Sequence, residues 1–264
     1  MKKQLKRSKL KNRQIDILIL LYRFRFLNRN QIQTFLNHKQ FNRVIVWLND
    51  LTEKKYLRRY YFQKFAPISS VYSLGITSRK YLKDNQDLKV IQIPLLDRVW
   101  REHQYTMKFR KHCMFSADIC LSLSSLVKKT KAKLHFYTKT DLAGMQYLIH
   151  PEPDAYFAIE EKNGLAKRYF LEIVDDLPPR MVLRRRIKQY FYYFRKKYWQ
   201  DHTSHSFPEI IIVCPDNSSK NYLKNFIGKM LNEKRVDMLF YLSTWDEIKF
   251  NGMNRQVLRK VEVC

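Results

Sequence analysis

The stretch that decides the fold covers residues 150–199 and reads HPEPDAYFAIEEKNGLAKRYFLEIVDDLPPRMVLRRRIKQYFYYFRKKYW. An alternating run leads into Asn163-Gly164, and a second follows as Tyr169-Phe-Leu-Glu172-Ile-Val-Asp175. Two such runs about Asn-Gly specify a β-hairpin. Along the second strand Tyr169, Leu171 and Ile173 point one way, and Phe170, Glu172 and Val174 the other. Asp154 on the first strand and Glu172 on the second, beside a cationic helix, suggest a divalent metal working on a phosphate backbone.

The register carries that suggestion. A two-residue turn sets Asp154 opposite Ile173, whereas a three-residue loop with a glycine bulge sets it across from Glu172. Both remain open from the residues, and a shared metal requires the bulged form.

After Pro179 the periodicity becomes helical. Leu183, Ile187, Tyr190, Phe194 and Tyr198 are expected to pack on the sheet. Arg185, Lys188, Tyr192, Lys196 and Trp199 are expected on the opposite face. Residues 180–197 hold eight Lys/Arg and no acid. Like charges at helical spacing cost an isolated helix ~0.2–0.5 kcal/mol per pair, a strain that a polyanion relieves. The interleaved aromatics offer stacking or sugar contacts to DNA.

Composition points the same way. The chain has 264 residues, with 51 Lys+Arg against 24 Asp+Glu, a net charge of +27. AT-rich coding enriches Lys, Asn, Ile, Phe and Tyr but does not remove acids, so nucleic acid is the expected partner. Apolar runs stay short of the ~18–20 residues of a membrane span. Residues 17–22 lie between Asp16 and Arg23 and read as an amphipathic helix rather than a leader. Cys113, Cys120, Cys214 and Cys264 form no CxxC pair, which argues against a zinc site or disulfide framework. Reduced thiols in a cytoplasm are expected. The five glycines build neither GxGxxG nor GxxxxGK[ST], which excludes the common nucleotide-cradling loops.

Working back toward the start, residues 1–13 form a basic tail. From Gln14 a helix is expected, with Ile15, Leu18, Leu21 and Tyr22 inward. Asn28 is expected to cap the next helix, with Gln31 as capping-box partner and Leu27 and Ile32 as staple. In a third helix Phe41, Val44, Leu48 and Leu51 make the core stripe, and Gln40, Asn42, Arg43, Trp47 and Asn49 the outer face. A strand with Arg58, Arg59 and Lys64, a turn at Pro67, the strand Val71-Tyr-Ser-Leu74 and a helix capped by Thr77 complete residues 14–83. Three helices and a hairpin make a winged helix-turn-helix, whose third helix enters the major groove. There Asn42 and Arg43 suit base edges, and Arg58, Arg59 and Lys64 suit phosphates.

Residues 84–128 read as a helical connector containing Glu102 and His103, the histidine as a packed or hydrogen-bonded residue. Residues 129–250 give the α/β order strand, strand, strand, helix, strand, helix, strand. Ser218 or Ser219 caps one late helix, and Thr244 with Glu247 forms another capping box. Residues 251–264 form a second tail.

Asp154 after a proline, followed by Glu172 on the next strand, resembles the PD-(D/E)XK restriction-endonuclease-like core. More narrowly, Pro153-Asp154-Ala155, Phe170-Leu171-Glu172-Ile173-Val174-Asp175 and Arg186-x-x-x-Tyr190 resemble the replication-relaxation family of plasmids and other mobile elements. The nuclease resemblance implies Mg²⁺ held by Asp154 and Glu172, with a lysine two residues beyond the glutamate. Val174 stands at that position, leaving Lys188 or Arg186 to act instead. Asp175 and Asp176 read either as ligands or as turn residues.

The expected fold is therefore mixed: an N-terminal winged helix-turn-helix followed by a restriction-endonuclease-like α/β domain. The expected function is duplex DNA binding in a mobile element, alongside other replication or mobilisation proteins. Two alternatives stand beside it: a Mg²⁺-dependent endonuclease or nickase, and a transcriptional regulator.

Overall fold

The structure, a computed structural model, describes residues 10–61, 70–85, 90–175 and 179–262. The chain divides into two compact units, one ending at Met114 and the other beginning at Phe115. Each contains helices and its own sheet, so the protein is mixed α+β.

In the first unit α1 (Asn12–Phe24), β1 (Leu27–Asn28), α2 (Arg29–Phe35), α3 (Phe41–Glu53), β2 (Leu57–Tyr60) and β3 (Val71–Leu74) follow in winged-helix order. The strands form an antiparallel sheet of order β1-β3-β2, with Leu27 opposite Tyr72 and Leu57 opposite Leu74. The two-residue β1 was not legible in the sequence. Asn28 caps α2 as expected: its Oδ1 accepts from the Gln31 N–H at 2.9 Å, and Gln31 Oε1 accepts from the Asn28 N–H at 3.0 Å. The stapling pair Leu27 and Ile32 is fully buried. Ile17, Leu18, Leu21, Val44, Leu48 and Leu51 join them in the core.

Phe41 departs from the expected stripe. It begins α3 exposed, with the Arg29 guanidinium 4.3 Å from its ring centroid. The next helix, α4 (Ile76–Asp84), is capped by Gly75 rather than Thr77. Gly75 donates its N–H to Tyr56 O at 2.7 Å, and a Cβ there would collide with the Lys55 carbonyl oxygen. That close approach demands glycine. A 3₁₀ segment (Ile93–Gln104) and the start of α5 (Met107–Thr130) complete the unit, so the expected connector is shared between the two units. Glu102, 2% exposed, receives Arg25 on both carboxylate oxygens at 3.1 and 3.3 Å, with Arg98 at 3.7 Å. Arg25 also stacks over Tyr105 and Phe109. His103 is exposed rather than packed, with its carbonyl accepting from Arg110.

The second unit holds a six-stranded mixed sheet. After α5 come β4 (Lys133–Thr138), α6 (Lys139–Leu142), β5 (Ala155–Glu160), β6 (Ala166–Ile173), α7 (Arg180–Arg195) and α8 (Tyr198–Thr203). β7 (Glu209–Cys214), α9 (Asn217–Lys234), β8 (Phe240–Thr244), α10 (Trp245–Asn251) and β9 (Arg259–Lys260) follow. Strand order is β4 to β9 in sequence, antiparallel from β4 to β6, parallel from β6 to β8, and antiparallel again at β9. Parallel β7 is buried on both faces, which is why it reads as an unbroken apolar run. Phe170, Ile210, Ile212 and Phe240 pack with Ile187 and Tyr190 of α7 and Leu223 and Ile227 of α9.

Two cap assignments divide. Thr244 and Glu247 form their capping box, but Asp216, not Ser218 or Ser219, caps α9 by accepting the Ser219 N–H at 2.7 Å.

The hairpin takes the bulged register. Ala155 lies opposite Leu171 and Glu160 opposite Ala166, which places Asp154 across from Glu172. Glu161 and Leu165 close a three-residue loop in which Gly164 has φ +81°. Glycine takes that left-handed position without the strain a Cβ brings. Among the described residues no helix is long and apolar enough to cross a membrane.

Candidate nucleic-acid interface

In the first unit α3 stands where a winged helix carries its recognition helix. Val44, Leu48 and Leu51 hold it to the core, and Gln40, Asn42, Arg43 and Asn49 are exposed on its outer side. Gln40 precedes the first turn and donates its N–H to His38 Nδ1 at 3.2 Å. Trp47 is half-buried, its ring edge-on to His38 at 5.0 Å. Arg58 and Arg59 lie on β2, half-buried. The Arg59 guanidinium is already engaged by Asn49 and Tyr61 and lies over Tyr72, so it braces the wing strand against α3. Lys64 lies outside the described residues.

In the second unit Arg185, Lys188 and Tyr192 are exposed along α7 and Lys196 at its C-cap, while Leu183, Ile187 and Tyr190 are buried. Phe194 is half-buried against the same core, which also takes Phe191 and Tyr193. Trp199, expected on the outer face, is buried. Lys197 adopts φ 54°, a left-handed break that ends the helical projection and starts α8 on a new axis. Trp199 is therefore 3% exposed, donates Nε1–H to Ser206 O at 3.0 Å, and packs edge-on against Phe170. Tyr198, expected in the core, is exposed instead.

The carboxylate pair is built as follows. Asp154 Oδ2 accepts the Ile173 N–H at 2.8 Å, and Lys139 Nζ lies 3.8 Å from Oδ1. Glu172 Oε1 accepts from Arg186 Nη2 at 2.5 Å and from the Tyr190 hydroxyl at 2.5 Å. Burial pushes the Glu172 carboxyl above its ordinary value against the pull of Arg186, and the Asp154 charge adds to the rise. Burial opposes the Arg186 charge, but Glu172 outweighs it and raises the guanidinium. Burial and then the Glu172 charge hold Tyr190 well above an ordinary phenol. With its ring fully buried, Tyr190 is a structural hydroxyl donor and not an accessible nucleophile.

These residues do not fit a divalent ion. Two carboxylates are balanced by Arg186 and Lys139, and Arg186 and Tyr190 both engage Glu172 Oε1. Val174, at the expected lysine position, packs against the core. Among the described residues no three His, Cys, Asp or Glu side chains gather into a group able to hold a metal. Asp154, Glu172 and Arg186 come together as expected, whereas Lys188 is exposed on the outer side of α7. Tyr190 was read as core; its four-residue spacing from Arg186 was the available sign of a joint role. Glu102 is engaged inside the first unit by Arg25 and Arg98. Asp175 lies two residues beyond the end of β6, and Asp176 lies outside the described residues.

Fold and site together define a strongly basic, two-unit α+β protein that pairs a winged helix with a mixed-sheet unit whose carboxylates are internally neutralised. The chain belongs to the replication-relaxation family, whose model matches residues 18–210. No curated protein matches the sequence. A mutant of Lactococcus lactis ZitR is a similar solved structure, 18% identical, covering 47% of this chain and 77% of that one. The TM-score of that likeness is 0.27.

Proposed function

We propose that the chain binds duplex DNA in a plasmid or other mobile element, in replication or relaxation as the family name indicates. The winged unit selects the site, with Asn42 and Arg43 reading base edges. Arg58 on β2, Arg185 on α7 and Lys196 at the C-terminal cap of α7 hold phosphates and add affinity without sequence preference. The observation that carries this reading is the outer face of α3: a helix docked by one apolar stripe, presenting amide and guanidinium groups to solvent. Titration of labelled duplex at several salt concentrations tests it. Affinity should fall with a log–log slope of about −0.9 per phosphate neutralised. Binding insensitive to ionic strength overturns the reading.

A metal-dependent nickase is the second reading, favoured by the register that sets Asp154 across from Glu172. The Arg186 contact weighs against it. Supercoiled plasmid incubated with Mg²⁺ or Mn²⁺ separates the two, and no conversion is expected. Nicking that disappears in Asp154→Asn establishes the second reading.

A further inference from the structure

A cleft of about 710 Å³ opens beside α7 in the second unit. Its floor is apolar, formed by buried Leu148 and Tyr193, and its rim carries Arg185, Lys188, Tyr192 and Tyr198. None of its lining residues is acidic. Tyr192 and Tyr198 leave 61% and 46% of their surface in solvent, Tyr198 with its ring 6.4 Å from that of Tyr193 and Tyr192 with Lys196 Nζ 5.4 Å from its ring centroid. The floor is fixed: Tyr193 donates its hydroxyl proton to the Tyr147 carbonyl at 2.8 Å. The left-handed turn at Lys197 sends Trp199 into the core and leaves Tyr198 on the cleft.

We infer that this cleft receives a nucleotide of an unpaired DNA strand, its base against Tyr192 and Tyr198 and its phosphate beside Arg185 and Lys188. The inference rests on the DNA-binding reading and goes beyond it. Concave sites of a few hundred Å³ suit one ligand-sized group and exclude the convex surface of a duplex. Inside a duplex the base faces are stacked on each other, so exposed tyrosine rings gain nothing from it. An unpaired base offers a free π-face, and aromatic rings beside cations are the elements from which single-strand platforms are built. A surface for phosphates alone needs the cations but neither the rings nor the apolar floor.

The test uses the full chain and two labelled probes, an oligothymidylate of about 12 nucleotides, within the usual single-strand site sizes, and a hairpin duplex. Fluorescence anisotropy is read for the wild type, Tyr192→Ala, Tyr198→Ala and Tyr192→Phe. Each alanine variant should lose about tenfold in oligothymidylate affinity relative to its duplex affinity, as expected for one lost stack. Tyr192→Phe should restore it, because the ring and not the hydroxyl stacks. Parallel loss on both probes, or no loss on the single strand, overturns the inference while the duplex reading stands. Equal displacement of the oligothymidylate by polyglutamate of matched charge also overturns it, assigning the cleft to an acidic polypeptide. Failure to bind either probe removes both the inference and the reading beneath it.

Discussion

Arg186 Nη2 lies 2.5 Å from Glu172 Oε1, at the register where Asp154 faces Glu172 across the β5–β6 pair. A side chain of the protein thus supplies the positive charge that two such carboxylates would otherwise draw from a metal. Arg186 also reaches Gln189 and lies over the Tyr190 ring, so the cation is anchored at several points.

Replacing Arg186 with Met strands a largely buried carboxylate pair, and unfolding free energy should fall by about 3–5 kcal/mol. The same change exposes a vacant anionic site. Mn²⁺ should therefore raise the melting temperature of Arg186→Met by mass action and leave the wild type unmoved. An equal Mn²⁺ shift in both proteins sinks the internal-cation account.

Arg43 and Arg58 are both cations of the winged unit, but their places differ. Arg43 stands exposed on α3, while Arg58 lies half-buried on the wing strand. Arg43→Ala should relax discrimination at one base position by about 1–3 kcal/mol, the worth of a bidentate contact. Arg58→Ala should weaken all sequences alike. Selection from a randomised duplex library reads both effects. An unchanged base preference in Arg43→Ala removes α3 from direct readout.

Glu102 is the buried anion on which two partly buried arginines of the first unit converge. In Glu102→Gln the Arg25 and Arg98 guanidiniums lose their compensating charge, and denaturant unfolding should show a loss of about 3–5 kcal/mol. A loss below 1 kcal/mol, the range of exposed pairs, refutes a supporting role for this cluster.

Gly75 tests backbone proximity alone, since its φ of −95° is open to any residue. In Gly75→Ala the new methyl meets the Lys55 carbonyl, and stability should drop by about 1–3 kcal/mol, as in other overpacked sites. Thermal unfolding of that variant beside Gly164→Ala, whose cost is conformational at φ +81°, separates crowding from strain. No drop for Gly75→Ala means the β3–α4 junction has room to yield against the Lys55 carbonyl.

Acid should destabilise the protein through Glu247 and Asp50. Burial acts to raise both carboxyls and is outweighed. At Glu247, Lys220 at 2.6 Å, the Thr244 N–H at 2.8 Å and the Ser243 hydroxyl at 3.1 Å lower it. At Asp50, Lys54 at 2.7 Å and Gln14 at 2.6 Å do the same. Folded, these groups bind fewer protons than when unfolded. Their contribution is complete above the ordinary carboxylate range, about pH 4–5, and is lost as pH falls through their lowered values. Glu172 has the opposite sign: its raised carboxyl favours the folded state less as pH rises. Melting temperature against pH should fall on the acid side, and Glu247→Gln should flatten that limb. An unflattened limb rules out Glu247 as a contributor.

Local chemistry made much of the fold legible. The Asn28 and Thr244 capping boxes, the Leu27–Ile32 staple and the apolar run of β7 all depend on neighbours within a few residues. The Asn163-Gly164 pair announced a hairpin, but two loops satisfied the same local pattern. The bulged one places Tyr156 beside Phe170, their rings 5.8 Å apart, and both against Trp199. That three-ring contact joins residues more than forty positions apart, which no periodicity encodes.

Sequence alone determined many of the helices and strands, two of the capping boxes, and that the chain is strongly cationic. Those properties follow from hydrogen bonding and side-chain spacing within a turn or two. Tertiary structure decided that Arg186 neutralises Glu172, that Trp199 is core while Tyr198 lines a cleft, and that α5 crosses the boundary between the units. Such outcomes depend on which distant groups come within about 3–4 Å after packing, and burial then fixes their charge and exposure.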